Sequence, residues 1–131
     1  MTTVTRQPSL LIVEDDPDTA ALLATRLVAA RYDVQIVRTG AAALGRLMAH
    51  RPDLVLLDVQ LPDISGYTVC QELRGRFDPR ALPVVMLTVM DRPGEEQRGL
   101  AVGADAYVSK HDDFSALLKI IERLLLKSTT R

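Results

Sequence analysis

Five short apolar runs punctuate the chain, separated by longer segments of mixed polarity. They lie at Ser9–Val13, 34–37, 53–57, 82–87 and Ala106–Ser109, and their β-branched and leucine-rich content reads as strands. The segments between them carry helical spacing. Ala20, Leu23, Ala24 and Leu27 fall at i, i+3, i+4 and i+7, marking one face of a first helix. Asp16 is placed to cap that helix, with Pro17 at its first position, where a missing N–H costs nothing. Further helices are expected over residues 41–50, 67–76, 93–102 and 113–127. Strands alternating with helices argue for an α/β fold, a doubly wound parallel sheet of five β/α units. The runs at 53–57 and 82–87 are apolar almost throughout, as in central strands covered on both faces. Gln35 and Arg38 in or beside the second run suit an edge. Gly94 and Gly99 fall within the expected fourth helix and predict a weakly held element. Gly103 is placed to end it in the left-handed conformation. Residues 1–8 read as a flexible lead, 9–127 as one domain and 128–131 as a fraying tail.

Composition narrows the class without changing this picture. A chain of 131 residues with 47% hydrophobic and 25% charged positions is long enough to bury a core without disulfides. The net charge of −1 gives no electrostatic case for nucleic acid or an anionic membrane surface. The single cysteine, Cys70, rules out an internal disulfide and reads as a small buried hydrophobe on the third helix. No run approaches the length of a bilayer span, and the first ten residues lack a secretory signal. A cytoplasmic location is expected.

The chemistry sits at the ends of the strands. Glu14 and Asp15 follow the first run, Asp58 the third, Thr88 the fourth and Lys110 the fifth. In an open parallel sheet, ligands bind in the crevice outside the carboxyl ends of the strands, so these residues should converge there. Three carboxylates brought together repel one another, and a hard divalent cation relieves that. Mg²⁺ takes oxygen ligands and is typically held by one or two carboxylates plus a phosphate. Mg²⁺, or Mn²⁺ in its place, is therefore the expected cofactor. Asp15 and Asp58 are the direct candidates, with Glu14 acting through water and the Gln60 backbone carbonyl supplying another oxygen. Asp58 is the candidate phosphoacceptor, because phosphoryl transfer asks a protein chiefly for positioning and charge stabilisation. Lys110 suits one phosphoryl oxygen as a compact point charge, and the Thr88 hydroxyl suits another.

The motifs LLIVEDD, LVLLDVQLPDISGY, VVMLT and GADAYVSK together resemble the receiver domain of two-component response regulators over nearly the whole chain. The separations of 43, 30 and 22 residues between Asp15, Asp58, Thr88 and Lys110 are also typical of that family. The resemblance implies a flavodoxin-like fold with strand order 2-1-3-4-5, the receiver domain occupying residues 9–127. It also implies a phosphorylation-controlled switch rather than an enzyme acting on other substrates. A histidine kinase, a histidine phosphotransfer protein or a small acyl phosphate would donate to Asp58. Thr88 would move toward the phosphoryl group, and Tyr107 would turn inward into the space it left. The surface of the fourth helix, last strand and fifth helix would change and be read by an output domain, a partner protein or a second copy of the chain.

Two departures stand out. His111 follows Lys110 where the family usually has proline, which is expected to loosen that loop. Val89 follows Thr88 where a small residue is usual; Val89, together with Gln60, is expected to tune access to the site. In the last helix, seven of ten residues from 117 to 126 are apolar. That pattern allows either a wide buried face or an interface through Ile120, Leu124 or Leu126. Other functions fit less well. A constitutive interaction module of the same fold is disfavoured by the intact Asp58, Thr88 and Lys110. An aspartyl phosphatase would want a second aspartate two positions after Asp58, where Gln60 stands. A flavin carrier would want a phosphate loop in place of the acidic EDDPD. No helix-turn-helix follows the last helix, so DNA binding is not expected of these residues.

Overall fold

A computed structural model describes residues 6–89 and 93–129. Parts of the expected lead (1–5) and tail (130–131) lie outside the described residues. The elements alternate in order: β1 (Ser9–Val13), α1 (Pro17–Ala29), β2 (Asp33–Val37), α2 (Gly40–Ala49), β3 (Leu54–Asp58), α3 (Gly66–Arg74), β4 (Val84–Thr88), α4 (Glu95–Ala101), β5 (Ala106–Ser109) and α5 (Phe114–Thr129). The five strands form one parallel sheet in the order β2-β1-β3-β4-β5.

Because side chains alternate along a strand, each strand feeds both faces of the sheet. Leu11, Val13, Val55, Leu57, Val84 and Met86 point to the side covered by α2, α3 and α4. Leu10, Ile12, Leu54, Leu56, Val85 and Leu87 point to the side covered by α1 and α5. All five positions of β3 and of β4 are buried, which explains their unbroken apolar sequence. The mixed composition of β2 has the opposite cause, since it lies at the sheet edge with Asp33, Gln35 and Ile36 exposed.

Three boundaries differ from the periodicity reading. Strand β3 begins at Leu54 and takes in Asp58, because Asp53 is occupied earlier: its carboxylate accepts the Ser9 N–H at 2.7 Å. Strand β4 runs to Thr88, with Leu82 and Pro83 buried ahead of it. Gly94 stands before α4 rather than within it, capping the helix at φ 88°. That leaves α4 only seven residues long. Gly103 adopts the expected left-handed conformation after it, at φ 108°.

The wide apolar face of α5 is mostly core. Leu117, Ile121, Leu124 and Leu125 are buried, Ile120 is half-buried, and Leu126 is 71% exposed. Leu124 is thus in the core of the chain, and of the three candidate interface residues only Leu126 is largely exposed.

At the end of the sheet away from the acidic residues, Arg74 ties three segments together. Its guanidinium donates to the carbonyls of Gly103 (2.7 Å), Leu82 (2.7 Å) and Phe77 (3.3 Å) and to Asp105 Oδ2 (2.8 Å). Asp105 also accepts the Val84 N–H at 2.8 Å. The pair is mostly buried and makes several hydrogen bonds, so α3, β4 and β5 are fixed to one another at that end.

Helix α1 ends differently from α4. Arg31 follows it at φ 74°, a left-handed conformation in which a side chain costs about 1–2 kcal/mol. Arg31 is exposed, so glycine would remove that cost and lose little contact. Arg31→Gly is expected to raise unfolding stability by about 0.5–1 kcal/mol after the added freedom of the unfolded chain is counted. Urea denaturation checks this, and a loss of stability would contradict it.

Candidate functional site

Parallel pairing sets the site. Val13 lies beside Leu57, so Glu14 and Asp58 follow on neighbouring strands; Asp58 lies beside Leu87, and Thr88 beside Ser109. Glu14, Asp15 and Asp58 each offer a carboxylate oxygen, and these oxygens lie within 4.8 Å of one another. Glu14 and Asp58 are buried, at 1% and 5% exposure, whereas Asp15 is open to solvent.

Lys110 reaches into this cluster from the residue after β5. Its Nζ contacts Glu14 Oε1 and stands 3.0 Å from Asp58 Oδ2. The remaining carboxylate atoms have backbone donors. The Asp16 N–H donates to Glu14 Oε2 at 3.1 Å, and the Gln60 N–H donates to Asp58 Oδ1 at 3.2 Å. Burial pushes the Glu14 carboxyl up from its ordinary range; Lys110 and the Asp16 N–H oppose this, and the neighbouring Asp58 adds to it. Burial works against the Lys110 ammonium as well, but its bonds and charge contacts with Glu14 and Asp58 outweigh that. Its pKa therefore lies above the ordinary lysine value.

Local sequence explains how each group is held. Asp16 caps α1 by accepting the Thr19 N–H at 2.9 Å, so α1 begins directly over the acidic pair. That bonding to Thr19 holds the Asp16 carboxyl below its ordinary range. In the loop after β3, the Asp63 carboxylate accepts the N–H groups of Gly40 and Ala41 at 2.8 Å each, tying the loop to the start of α2. At Gly66 a Cβ would stand 2.1 Å from the Asp58 carbonyl oxygen, so only glycine lets α3 start this close to β3. The Lys110 loop is held without a proline. The Lys110 N–H donates to the Thr88 carbonyl at 2.7 Å, the His111 N–H to Ser109 Oγ at 3.1 Å, and the Asp112 N–H to the Ser109 carbonyl at 3.0 Å.

The remaining candidates lie around this centre. Thr88 is buried, with Tyr107 on the neighbouring strand. Tyr107 is half-buried and already lies inward, against Gly99 and Met86. Val89 is 50% exposed and lines, with Leu87, Lys110 and His111, a cavity of about 300 Å³ that continues between α1 and α5. The Gln60 side chain is exposed. Ile120, Leu124 and Leu126 belong to α5 and take no part in the cluster.

Sequence reading missed Arg38, whose Nη2 donates to the Asp15 carbonyl at 3.2 Å. Its place directly after β2, beside β1, was the available signal. It also missed Tyr67 and Glu95, which join Tyr107 in one hydrogen-bonded group. Their positions carry no periodic mark.

The arrangement can hold a hard cation, since its donors are oxygens and Lys110 pairs with only two of the three carboxylates, Glu14 and Asp58. It can also present one carboxylate oxygen to an incoming electrophile, with a positive charge alongside.

Comparison with known proteins agrees with this geometry. The family model for the response regulator receiver domain matches residues 10–122. The DNA-binding dual master transcriptional regulator RpaA of Synechocystis sp. is 37% identical over 124 residues, covering 95% of this chain and 51% of that protein. The phosphate regulon transcriptional regulatory protein PhoB of Rhizobium meliloti is 36% identical over 121 residues, covering 92% of this chain and 53% of that protein. The chain thus spans about half the length of these curated relatives. Among solved structures, the BeF3-activated N-terminal receiver domain of Klebsiella pneumoniae RstA superposes with a TM-score of 0.84 at 34% identity. It covers 89% of this chain and 97% of its own. The receiver domain of a signal transduction histidine kinase from Syntrophus aciditrophicus gives a TM-score of 0.87 at 35% identity, over 95% of this chain and 94% of its own.

Proposed function

Because the chain belongs to the response regulator receiver domain family, we propose that it is a phosphoacceptor switch whose acceptor is Asp58. The observation that carries this reading is the Lys110 ammonium set between Glu14 and Asp58 at the strand ends. The donor is a phosphohistidine on a histidine kinase or phosphotransfer protein, or a small acyl phosphate. An Asp58 carboxylate oxygen attacks phosphorus in line, and an aspartyl phosphate bond forms as the donor's bond to phosphorus breaks. The leaving imidazole or carboxylate keeps the electron pair. Lys110 is within reach of a phosphoryl oxygen on Asp58, because it already bonds that carboxylate. Thr88, next in line across the sheet, supplies a hydroxyl to another.

Asp15 and Asp58, with the Gln60 carbonyl and with Glu14 through water, are the residues that would hold Mg²⁺ or Mn²⁺. When bound, that ion would neutralise charge gathering on the phosphoryl oxygens. The only turnover proposed is formation and hydrolysis of the protein's own aspartyl phosphate. No helix among the described residues is long and apolar enough to cross a membrane, and the proposed location is the cytoplasm. The proposed reading surface is α4, β5 and α5, where Leu100 and Leu126 are exposed. Its partner is an output domain, a separate protein or a second copy, with no direct contact to nucleic acid.

Intact-protein mass spectrometry after incubation with Mg²⁺ and acetyl phosphate tests the reading. A phosphate mass increment is expected on the native chain and not on Asp58→Asn. An increment retained by Asp58→Asn would contradict Asp58 as acceptor. No increment in the native chain, together with no response to beryllofluoride, would favour a constitutive interaction module.

Val89 stands at the lip of the site with half its surface exposed, where its branched side chain restricts small donors and attacking water. Val89→Ala is expected to speed both phosphorylation by acetyl phosphate and hydrolysis of the aspartyl phosphate by about threefold, a barrier change of about 0.7 kcal/mol. Stopped-flow and phosphate-release kinetics measure the two rates. If neither changes, the steric role of Val89 is wrong.

A further inference from the structure

Beside the acidic site lies a second hydrogen-bonded cluster that joins three elements. Tyr107 of β5 packs its ring against α4 at Gly99, where a Cβ would stand 2.8 Å from Tyr107 Cδ2 and 3.2 Å from Met86 Sδ. The aromatic ring thus occupies space that any larger residue at 99 would need. The Tyr107 hydroxyl lies 3.5 Å from Glu95 Oε2. Tyr67, near the start of α3, donates to the same Glu95 oxygen at 2.9 Å and lies 3.2 Å from the Glu95 carbonyl. The two tyrosine hydroxyls thus meet on one carboxylate oxygen. On the α4 side, Arg98 covers the ring of Tyr67, with its guanidinium carbon 4.3 Å from the ring centroid.

An inward Tyr107 places a hydroxyl in a half-buried setting, and a hydroxyl there without partners is costly. Glu95 supplies a partner, and Tyr67 holds Glu95 in place. The Tyr107–Glu95 bond exists only while the Tyr107 ring is inward, whereas the Tyr67–Glu95 bond needs only α3 and α4. Burial, with the neighbouring Tyr107 and the Glu95 carboxylate, pushes the Tyr67 hydroxyl far up, so it stays a donor at physiological pH.

We propose that Tyr67 and Glu95 form a latch that holds Tyr107 inward, making Tyr67 a positioning residue for the switch. This rests on the reading of Asp58 as phosphoacceptor. Thr88 ends the strand beside Tyr107, and contacts run from Tyr107 to Glu95 and Tyr67, so occupancy of Asp58 bears on how α4 sits against α3. Between them, and against the loop after β3, lies an open cleft of about 630 Å³ lined by Gln60, Ile64, Tyr67, Glu95 and Arg98. Its walls include both partners of the latch. Coupling is reciprocal: whatever favours the inward state tightens binding of a phosphoryl group or its analogue by the same factor.

The test uses the full chain labelled with 3-fluorotyrosine and titrated with beryllofluoride in excess Mg²⁺, followed by ¹⁹F NMR. The chain has three tyrosines, and Tyr32 packs on the opposite face of the sheet, so it serves as the internal reference. The Tyr67 and Tyr107 resonances are expected to shift with one midpoint while Tyr32 stays still. Tyr67→Phe keeps the ring and removes the hydroxyl. It is expected to weaken the beryllofluoride midpoint about fivefold, somewhat less than a whole charge-assisted hydrogen bond, and to leave the Mg²⁺ midpoint unchanged. Glu95→Ala should weaken the midpoint similarly, and the double variant should be no worse than either single one. A wild-type midpoint in Tyr67→Phe, or a Tyr67 resonance that ignores the titration while Tyr107 moves, would overturn the latch alone. Absence of any response in the native chain would remove the phosphoacceptor reading, and the latch with it.

Discussion

Two buried carboxylates at adjacent strand ends, with a third beside them, need a counter-charge, and the site depends on how that need is met. At a separation of 4 Å, two like charges near a protein surface repel by about 4 kcal/mol. In this chain the counter-charge is Lys110, delivered from the far side of the sheet by β5 and bonded to both Glu14 and Asp58. The same requirement makes the cluster receptive. A divalent cation can take over the role of the ammonium and free Lys110 for a phosphoryl oxygen. A cluster whose negative charge is only partly offset by one ammonium keeps room for a divalent cation.

The sheet makes the convergence possible. Parallel order β2-β1-β3-β4-β5 sets four strand ends side by side, so residues nearly a hundred positions apart meet at one edge. The opposite edge is fixed by Arg74 and Asp105, which bind α3, β4 and β5 with five hydrogen bonds between them. With one end clamped, movement is left to the other. There α4 is only seven residues long, begins without a side-chain cap, and leans on Tyr67 and Tyr107 through Glu95. Short elements with few buried contacts are the ones that open most readily.

Much of this was legible in the chain. Apolar runs marked all five strands, and the residues after the first, third, fourth and fifth runs are ones the sheet sets at neighbouring strand ends, because strand ends in such folds are where side chains leave the core. The Asp16–Pro17 cap was also readable, since capping depends on neighbours in sequence. Boundaries were less so. Asp58 belongs to β3 rather than following it, because ladder bonds and not hydropathy end a strand. Gly94 read as a helix interior and proved to be its cap, as hydrophobic spacing does not record its left-handed backbone. The excess of apolar residues in α5 allowed an interface, yet Leu124 is core, because two adjacent stripes of the helix face the sheet. The contacts of Arg74, Asp63 and Tyr67 were invisible. Each joins distant segments through a single side chain, and no spacing in the sequence records that.

The claim most exposed to test is that Lys110 and the divalent cation compete for the same carboxylates. Calorimetric titration of Mg²⁺ into the native chain and into Lys110→Met measures this directly, since methionine keeps an unbranched chain of similar length and removes the charge. Without the ammonium, Mg²⁺ should bind about tenfold more tightly, a difference of about 1.4 kcal/mol. Binding that is unchanged or weaker in Lys110→Met would mean that the ammonium does not hold the cation's place, and would contradict the electrostatic basis of the site.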